Sequence, residues 1–285
     1  MYQLSDIFNK CYEEALNRKG KPQELSIFSL PTLNNKIWGF KKQKLNIIGG
    51  RPSNGKSVLM LQLAWDFARQ GKNVLFFSLE MTKQTIVERI ISKEIKINNQ
   101  SLYTGNFDHN KYARRIMELK KDVDKINFVM SDTMGKTFDD IFRIIEKIKT
   151  PIDVVFLDYI QMVKNIGKTK KEAIDDYIKK LREYAINKDF CAVVASQINR
   201  GTHNSATVTP PNLWELKSSG DLEEHCDLAM LVHYPGHYDG DDVSGEYQIN
   251  IAKNRDGATG NTINLFQPQY SLIKEVGFGI SDKEK

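Results

Sequence analysis

Residues Gly50-Arg51-Pro52-Ser53-Asn54-Gly55-Lys56-Ser57 constrain this chain more than any other stretch. They follow the apolar segment Leu45-Asn46-Ile47-Ile48 and open a helix-like run at Lys56. The run thus has the strand–loop–helix setting of a phosphate-binding P-loop as well as its spacing. Glycines at 50 and 55 let backbone N–H groups turn inward on phosphate oxygens, beside the positive end of a helix dipole. Lys56 supplies a point charge for the β- and γ-phosphates, and the Ser57 hydroxyl can ligate Mg²⁺. Residues 50–57 are therefore expected to hold a nucleoside triphosphate.

With 285 residues, 40% of them hydrophobic, the chain can build one large domain or two small ones around a sizeable core. No stretch approaches the ~20 apolar residues of a membrane span. The N-terminus has neither a signal-peptide nor a transit-peptide pattern. A cytoplasmic protein with no membrane partner is expected. Cys11, Cys191 and Cys226 are odd in number and widely spaced, which suits a reducing compartment rather than a disulfide framework. His233 and His237 are four apart, but Pro235 between them rules out a helical metal-binding pair. The net charge of +5 permits a polyanionic partner without demanding one.

Residues 4–18 carry Leu4, Ile7, Phe8, Cys11, Tyr12 and Leu16 at helical spacing, and Gly20 ends the pattern. Such a helix must bury its apolar face against its own domain or a neighbouring subunit. From residue 45 strand-like and helix-like segments alternate, the signature of an α/β fold with a mostly parallel sheet. Strands are expected at 45–49, 73–79, 126–130, 152–158, 190–196, 227–233, 246–252 and 262–266. Helices are expected at 56–70, 83–95, 109–121, 138–149 and 171–187, the first apolar nearly all round and hence deeply buried. The last strands should extend the sheet antiparallel. Asp239-Gly240-Asp241-Asp242 reads as a solvated hairpin tip, and 281–285 as a frayed tail.

Three apolar runs end in polar residues: Val74–Leu79 at Glu80, Val154–Leu157 at Asp158, and Ala192–Ser196 at Gln197. Continuous apolar runs read as strands buried on both faces of a parallel sheet. The carboxyl ends of such strands line one crevice, where the P-loop also sits. Asp158 then has the position of the carboxylate that holds Mg²⁺, directly or through water. Glu80 can act as general base towards an attacking water. Gln197 cannot do acid–base work, but its amide can hydrogen-bond a γ-phosphate.

In this order the chain resembles the ATPase domain of the DnaB-type hexameric replicative helicases, a branch of the RecA-like fold. The resemblance rests on Gly49–Ser57, Phe77-Ser78-Leu79-Glu80-Met81 and Leu157-Asp158-Tyr159-Ile160-Gln161. It continues through Ser196-Gln197-Ile198-Asn199-Arg200, Gly220–Glu224 with Asp227, and Ala252–Gly260. It implies an ATP- and Mg²⁺-dependent helicase moving 5′→3′ on single-stranded DNA as a ring, a hexamer in the family, with nucleotide at subunit interfaces. It also implies that Lys253 and Arg255 reach the γ-phosphate of the adjacent subunit, and that a loader, primase or polymerase is a further partner.

Family members grip single-stranded DNA with two loops. Here these are 164–171, with Lys164 and Lys168, and a segment within 199–220, with Arg200, Lys217, Ser218 and Gly220. Lysines, hydroxyls and backbone N–H groups track phosphates without reading sequence. Residues 1–40 are expected to be a linker helix and connector that dock on a neighbouring subunit, and 41–285 the RecA-like ATPase domain. Only about forty residues precede that domain, a departure from the family's separate N-terminal collar domain that puts coupling to primase in doubt and suggests a phage or mobile-element protein. Ala258 stands where the family's turn usually has proline, leaving Lys253 and Arg255 in place. Two other readings share the P-loop: a RecA-like recombination or annealing ATPase that binds DNA without unwinding it, and a KaiC-like regulatory ATPase without DNA. The Lys-x-Arg-x-Gly segment argues against the first, and the lysine loop against the second.

Overall fold

Six strands with apolar side chains on both faces pair in parallel and set the architecture of the computed structural model. They are β1 (Leu45–Gly50), β2 (Val74–Ser78), β3 (Phe128–Asp132), β4 (Val154–Asp158), β5 (Cys191–Gln197) and β6 (Leu228–His233). Three antiparallel strands follow: β7 (Glu246–Asn254), β8 (Gly260–Gln267) and β9 (Leu272–Glu275). The sheet order is β3-β2-β4-β5-β1-β6-β7-β8-β9. The structure describes residues 3–21, 23–132, 134–164, 167, 169–198, 209–219, 222–238 and 244–276. The hairpin tip expected at 239–242 and the tail at 281–285 lie outside them.

Side-chain alternation sends Ile48, Phe76, Phe156 and Val193 to one face of the sheet, and Ile47, Phe77, Leu157 and Val194 to the other. The first face is covered by α2 (Pro31–Ile37), α3 (Lys56–Arg69), α4 (Lys83–Ile95) and α6 (His109–Val123). The second is covered by α7 (Phe138–Lys147) and α8 (Lys170–Asn187). Capping boxes start both of these helices, Thr137 with Asp140 and Thr169 with Glu172. As expected from its apolar sequence, α3 is buried along almost its whole length, and its Phe67 ring packs on Phe156 in β4.

Four α-helices and strands are not anticipated by the sequence: α2, the short α5 (Asn99–Thr104), the one-turn α9 (Leu222–His225) and β9. Leu25, Ile27, Leu30, Leu33, Ile37 and Phe40 are all buried, so the packed body begins within the segment read as a connector. By contrast α1 (Leu4–Arg18) is exposed along its described length, including the apolar Leu4, Phe8 and Tyr12.

Phe156 is fully buried between Phe67 and Phe76. Phe156→Ala should destabilise the fold by about 3–5 kcal/mol. The measurement is a urea titration, in which the midpoint falls while the slope stays the same.

Candidate active site

The P-loop is shaped by close approach. A Cβ at Gly50 would lie 2.6 Å from Val232 Cγ2, so β6 can close against the end of β1 only beside glycine. Gly55 has φ +75°, and a Cβ there would meet the Tyr247 ring at 3.1 Å. Asn54 braces the loop from inside. Its Nδ2 donates to Pro52 O (3.0 Å) and Tyr238 Oη (2.7 Å), and its Oδ1 accepts from the Tyr234 N–H (2.9 Å). No side chain caps the start of α3, so its first N–H groups remain for a ligand. The Asn54 side chain serves the loop, that of Arg51 turns away to Thr209 and Glu215, and neither lines the cleft, whereas Pro52, Ser53, Gly55, Lys56 and Ser57 do.

Strand register gathers the remaining groups. Gly50 lies opposite Gln197, and Ser78 opposite Asp158. The cleft that results has a volume of about 940 Å³ and includes Lys56, Ser57, Glu80 and Gln197 in its lining. Lys56 Nζ donates to the Arg51 carbonyl at 2.9 Å. Burial lowers its pKa to about 8, opposed by the charges of Asp158 and Glu80. Asp158 is buried, and neither carboxylate oxygen has a hydrogen bond. Burial raises its pKa to about 6. The nearby Ser57 hydroxyl, outside hydrogen-bonding geometry, opposes this, Glu80 adds to it, and Lys56 and Arg89 also oppose it.

At the end of β2, Ser78 Oγ donates to Met81 O (2.6 Å) and accepts from the Met81 N–H (3.1 Å), which leaves Glu80 exposed at the turn. Gln197 is clamped by a residue the sequence reading did not single out, Gln161. The Gln197 N–H donates to Gln161 Oε1 (3.0 Å), and Gln161 Nε2 donates to Ser196 Oγ (2.8 Å) and Gln197 O (3.1 Å). Arg89 on α4 was also missed. It lines the same cleft, and burial lowers its pKa against the pull of Asp158 and Glu80. In sequence it is one charge on an amphipathic helix, without a signal of its own.

Two buried carboxylate oxygens without partners, beside a serine hydroxyl, are suited to a hard divalent cation. Asp158 and Ser57 thus fit the Mg²⁺ expected with a nucleotide. Among the described residues no three His, Cys, Asp or Glu side chains form a metal cluster, so further ligands would come from phosphate oxygens and water.

Lys253 and Arg255 are not brought to this cleft. Lys253 pairs with Ala229 near the start of β6, and the Arg255 N–H donates to Asp227 O (2.9 Å), beside the start of β1. At ~3.3 Å per residue, β1 separates them from the P-loop by roughly 17 Å. Lys253 Nζ donates to the carbonyls of Glu223 and Glu224 on α9 (Leu222–His225), and Arg255 Nη2 to Glu224 O at 2.9 Å. Arg255 Nη1 also lies 3.5 Å from Asp227 Oδ1. Of the expected DNA-contacting residues, Lys164 is exposed beyond the carboxyl end of β4. Lys217 and Ser218 fall in a 3₁₀ stretch, Leu213–Ser219, while Lys168, Arg200 and Gly220 lie outside the described residues.

Residues 28–275 match the family described as the DnaB-like helicase C terminal domain. The chain belongs to this family. A probable replicative DNA helicase of Trieres chinensis is 26% identical over 283 residues, covering 95% of this chain and 62% of that protein. A probable plasmid replicative DNA helicase of Chlamydia trachomatis is 30% identical over 238 residues, 81% of this chain and 51% of the relative. The DnaB-like chain therefore spans only part of the length of these curated relatives. A solved structure of a DnaB-like replicative helicase and its interactions with primase superposes with a TM-score of 0.86 at 22% identity, covering 96% of this chain and 68% of that one. The expected RecA-like α/β fold, with its parallel sheet and antiparallel extension, is the fold of this DnaB-like domain. No helix among the described residues is long and apolar enough to cross a membrane.

A carboxylate whose pKa is raised on folding stabilises the folded state fully below its unfolded pKa, and that contribution is lost as pH rises through the folded value. For Asp158 the window runs from 3.8 to about 6. Asp158→Asn should therefore gain stability relative to the parent as pH rises through this window, in nucleotide-free protein, and the gap should level off above it. Chemical denaturation at a series of pH values measures the gap. A gap that does not change with pH would show that Asp158 is not held as described.

Proposed function

We propose that this domain is the ATP-driven motor of a DNA helicase, working with Mg²⁺ as a ring of head-to-tail copies and moving 5′→3′ on single-stranded DNA. The reading is carried by the division of its chemistry between the two ends of β1. The carboxyl end presents Lys56, Ser57, Glu80 and Gln197 in one cleft, with Asp158 buried at the end of β4, and the amino end presents Lys253 and Arg255. One chain thus offers both halves of a hydrolysis site in places that cannot meet within that chain. Head-to-tail packing joins unlike surfaces of neighbouring copies and closes into a ring when its rotation allows. The exposed apolar stripe of α1 is a surface for the same assembly.

In the joined site Lys56 leaves the Arg51 carbonyl for the β- and γ-phosphates, whose charge keeps the ammonium protonated. Asp158 and Ser57 would hold Mg²⁺, which when bound neutralises phosphate charge. Glu80 accepts the proton of the attacking water. Gln197, held by Gln161, donates to the γ-phosphate and registers its loss. The neighbour's Arg255 and Lys253 stabilise the charge that spreads over the transferred group. Lys164 and the 199–220 segment follow the DNA backbone beyond the carboxyl ends of β4 and β5, giving salt-sensitive, sequence-tolerant binding.

Unwinding of a forked duplex, with 5′- and 3′-tailed versions to read polarity, tests this directly. ATP turnover and single-strand binding without strand displacement would refute the helicase reading. Lys56→Ala should weaken nucleotide binding by roughly tenfold or more, as expected for a lost charge-assisted contact. Arg255→Ala should retain nucleotide but lose about 10³–10⁵ in DNA-stimulated rate. Mixing Arg255→Ala with Glu80→Gln chains should restore hydrolysis at interfaces where an intact Arg255 meets an intact Glu80. No recovery in the mixture would rule out action across the interface.

A further inference from the structure

Arg51 lies inside the P-loop, yet its side chain is spent elsewhere. It is buried, and its Nη1 donates to the Thr209 carbonyl at 2.8 Å while Nη2 meets Glu215 Oε2 at 3.3 Å. Glu215 is buried as well, and its Oε1 accepts from the Asn212 N–H at 3.0 Å. Both partners belong to the described part of the 199–220 segment, the second expected DNA loop. The adjacent Leu216 is fully buried in the space that a side chain at Gly49 would fill. The segment is therefore bolted onto the end of β1 immediately before the P-loop.

The main chain of Arg51 makes the opposite connection, because its carbonyl accepts from Lys56 Nζ at 2.9 Å. Arg51 thus has two arms. One holds the lysine that must move onto the phosphates, and the other holds the segment expected to contact DNA. A buried ion pair adds little to stability over well-packed apolar groups. Stability alone gives no reason for a charged pair here.

Resting on the ATP and DNA reading above, we propose that the Arg51–Glu215 pair is a positioning element that couples DNA binding to nucleotide binding within one chain. DNA that shifts the 209–219 stretch moves Glu215, and through it Arg51, whose carbonyl then releases or retains Lys56. Nucleotide that draws Lys56 away from Arg51 acts on the DNA segment in return. The two directions must be equal, since coupling between sites is reciprocal in binding free energy.

The test measures affinity for a non-hydrolysable ATP analogue with Mg²⁺, with and without a saturating oligo-dT strand, for the full chain and for Glu215→Gln. In the parent, oligo-dT should change analogue affinity by a factor in the range of roughly 5–150. In Glu215→Gln that factor should fall to within about twofold of unity, while affinity without DNA stays within about threefold of the parent. A factor that survives in Glu215→Gln overturns the proposal, as does a parallel loss of both affinities with the factor intact, which is the mark of a purely structural role. Should Glu215→Gln fail to fold, Glu215→Asp decides. It keeps the charge on a shorter arm and should give a reduced factor, and an unreduced one overturns the proposal. Failure of the parent itself to bind oligo-dT would instead count against the helicase reading.

Discussion

Parallel pairing of β2, β4, β5 and β1 is the constraint on which the rest of the molecule depends. It aligns four carboxyl ends, so a loop after one strand and polar residues ending three others must share a crevice. Parallel strands in turn need both faces covered, which the buried α3 provides on one side and α7 and α8 on the other. The cleft is thus a by-product of sheet topology, with Gln197 ending β5, Glu80 following β2, the P-loop following β1 and α4 adding Arg89.

That rigidity comes with electrostatic tension. Asp158 and Lys56 are both buried, and neither has an ion-pair partner within contact distance among the described residues. Desolvation pushes the carboxyl up to about 6 and the ammonium down to about 8. Arg89 and Glu80 add charges of both signs to the same cleft. A site arranged in this way is poorly satisfied alone and well satisfied by a polyanion with a divalent cation. Sites built for function commonly carry such a local cost in stability.

The opposite end of β1 shows the complementary pattern. Asp227 takes the Leu45 N–H on Oδ2, and its Oδ1 is close to Lys44, Arg182 and Arg255. The carbonyls of α9 collect Lys253, Arg255 and Arg182, cations at a helix C-terminus where the backbone is electronegative. The basic groups proposed to act on a neighbour are therefore ordered before any neighbour arrives. The chain segment that orders them continues from the stretch clamped by Arg51.

The sequence by itself determined the alternating α/β order, the P-loop and the three strand-end residues, because each rests on local spacing along one strand or helix. The elements it did not disclose are those with too little local pattern. Leu272-Ile273 becomes a strand only because β8 offers an edge, and α2 carries just Leu33 and Ile37 as an apolar pair. Gln161 and Arg89 were illegible for a different reason. Their roles come from neighbours 36 and 9 positions away, and one glutamine or arginine looks like any other in a linear chain. Only the tertiary structure decided that Arg51 turns to Glu215, and that Lys253 and Arg255 sit a full strand length from their own P-loop. Composition and spacing state which groups are present, whereas distance between them exists only once the sheet has closed.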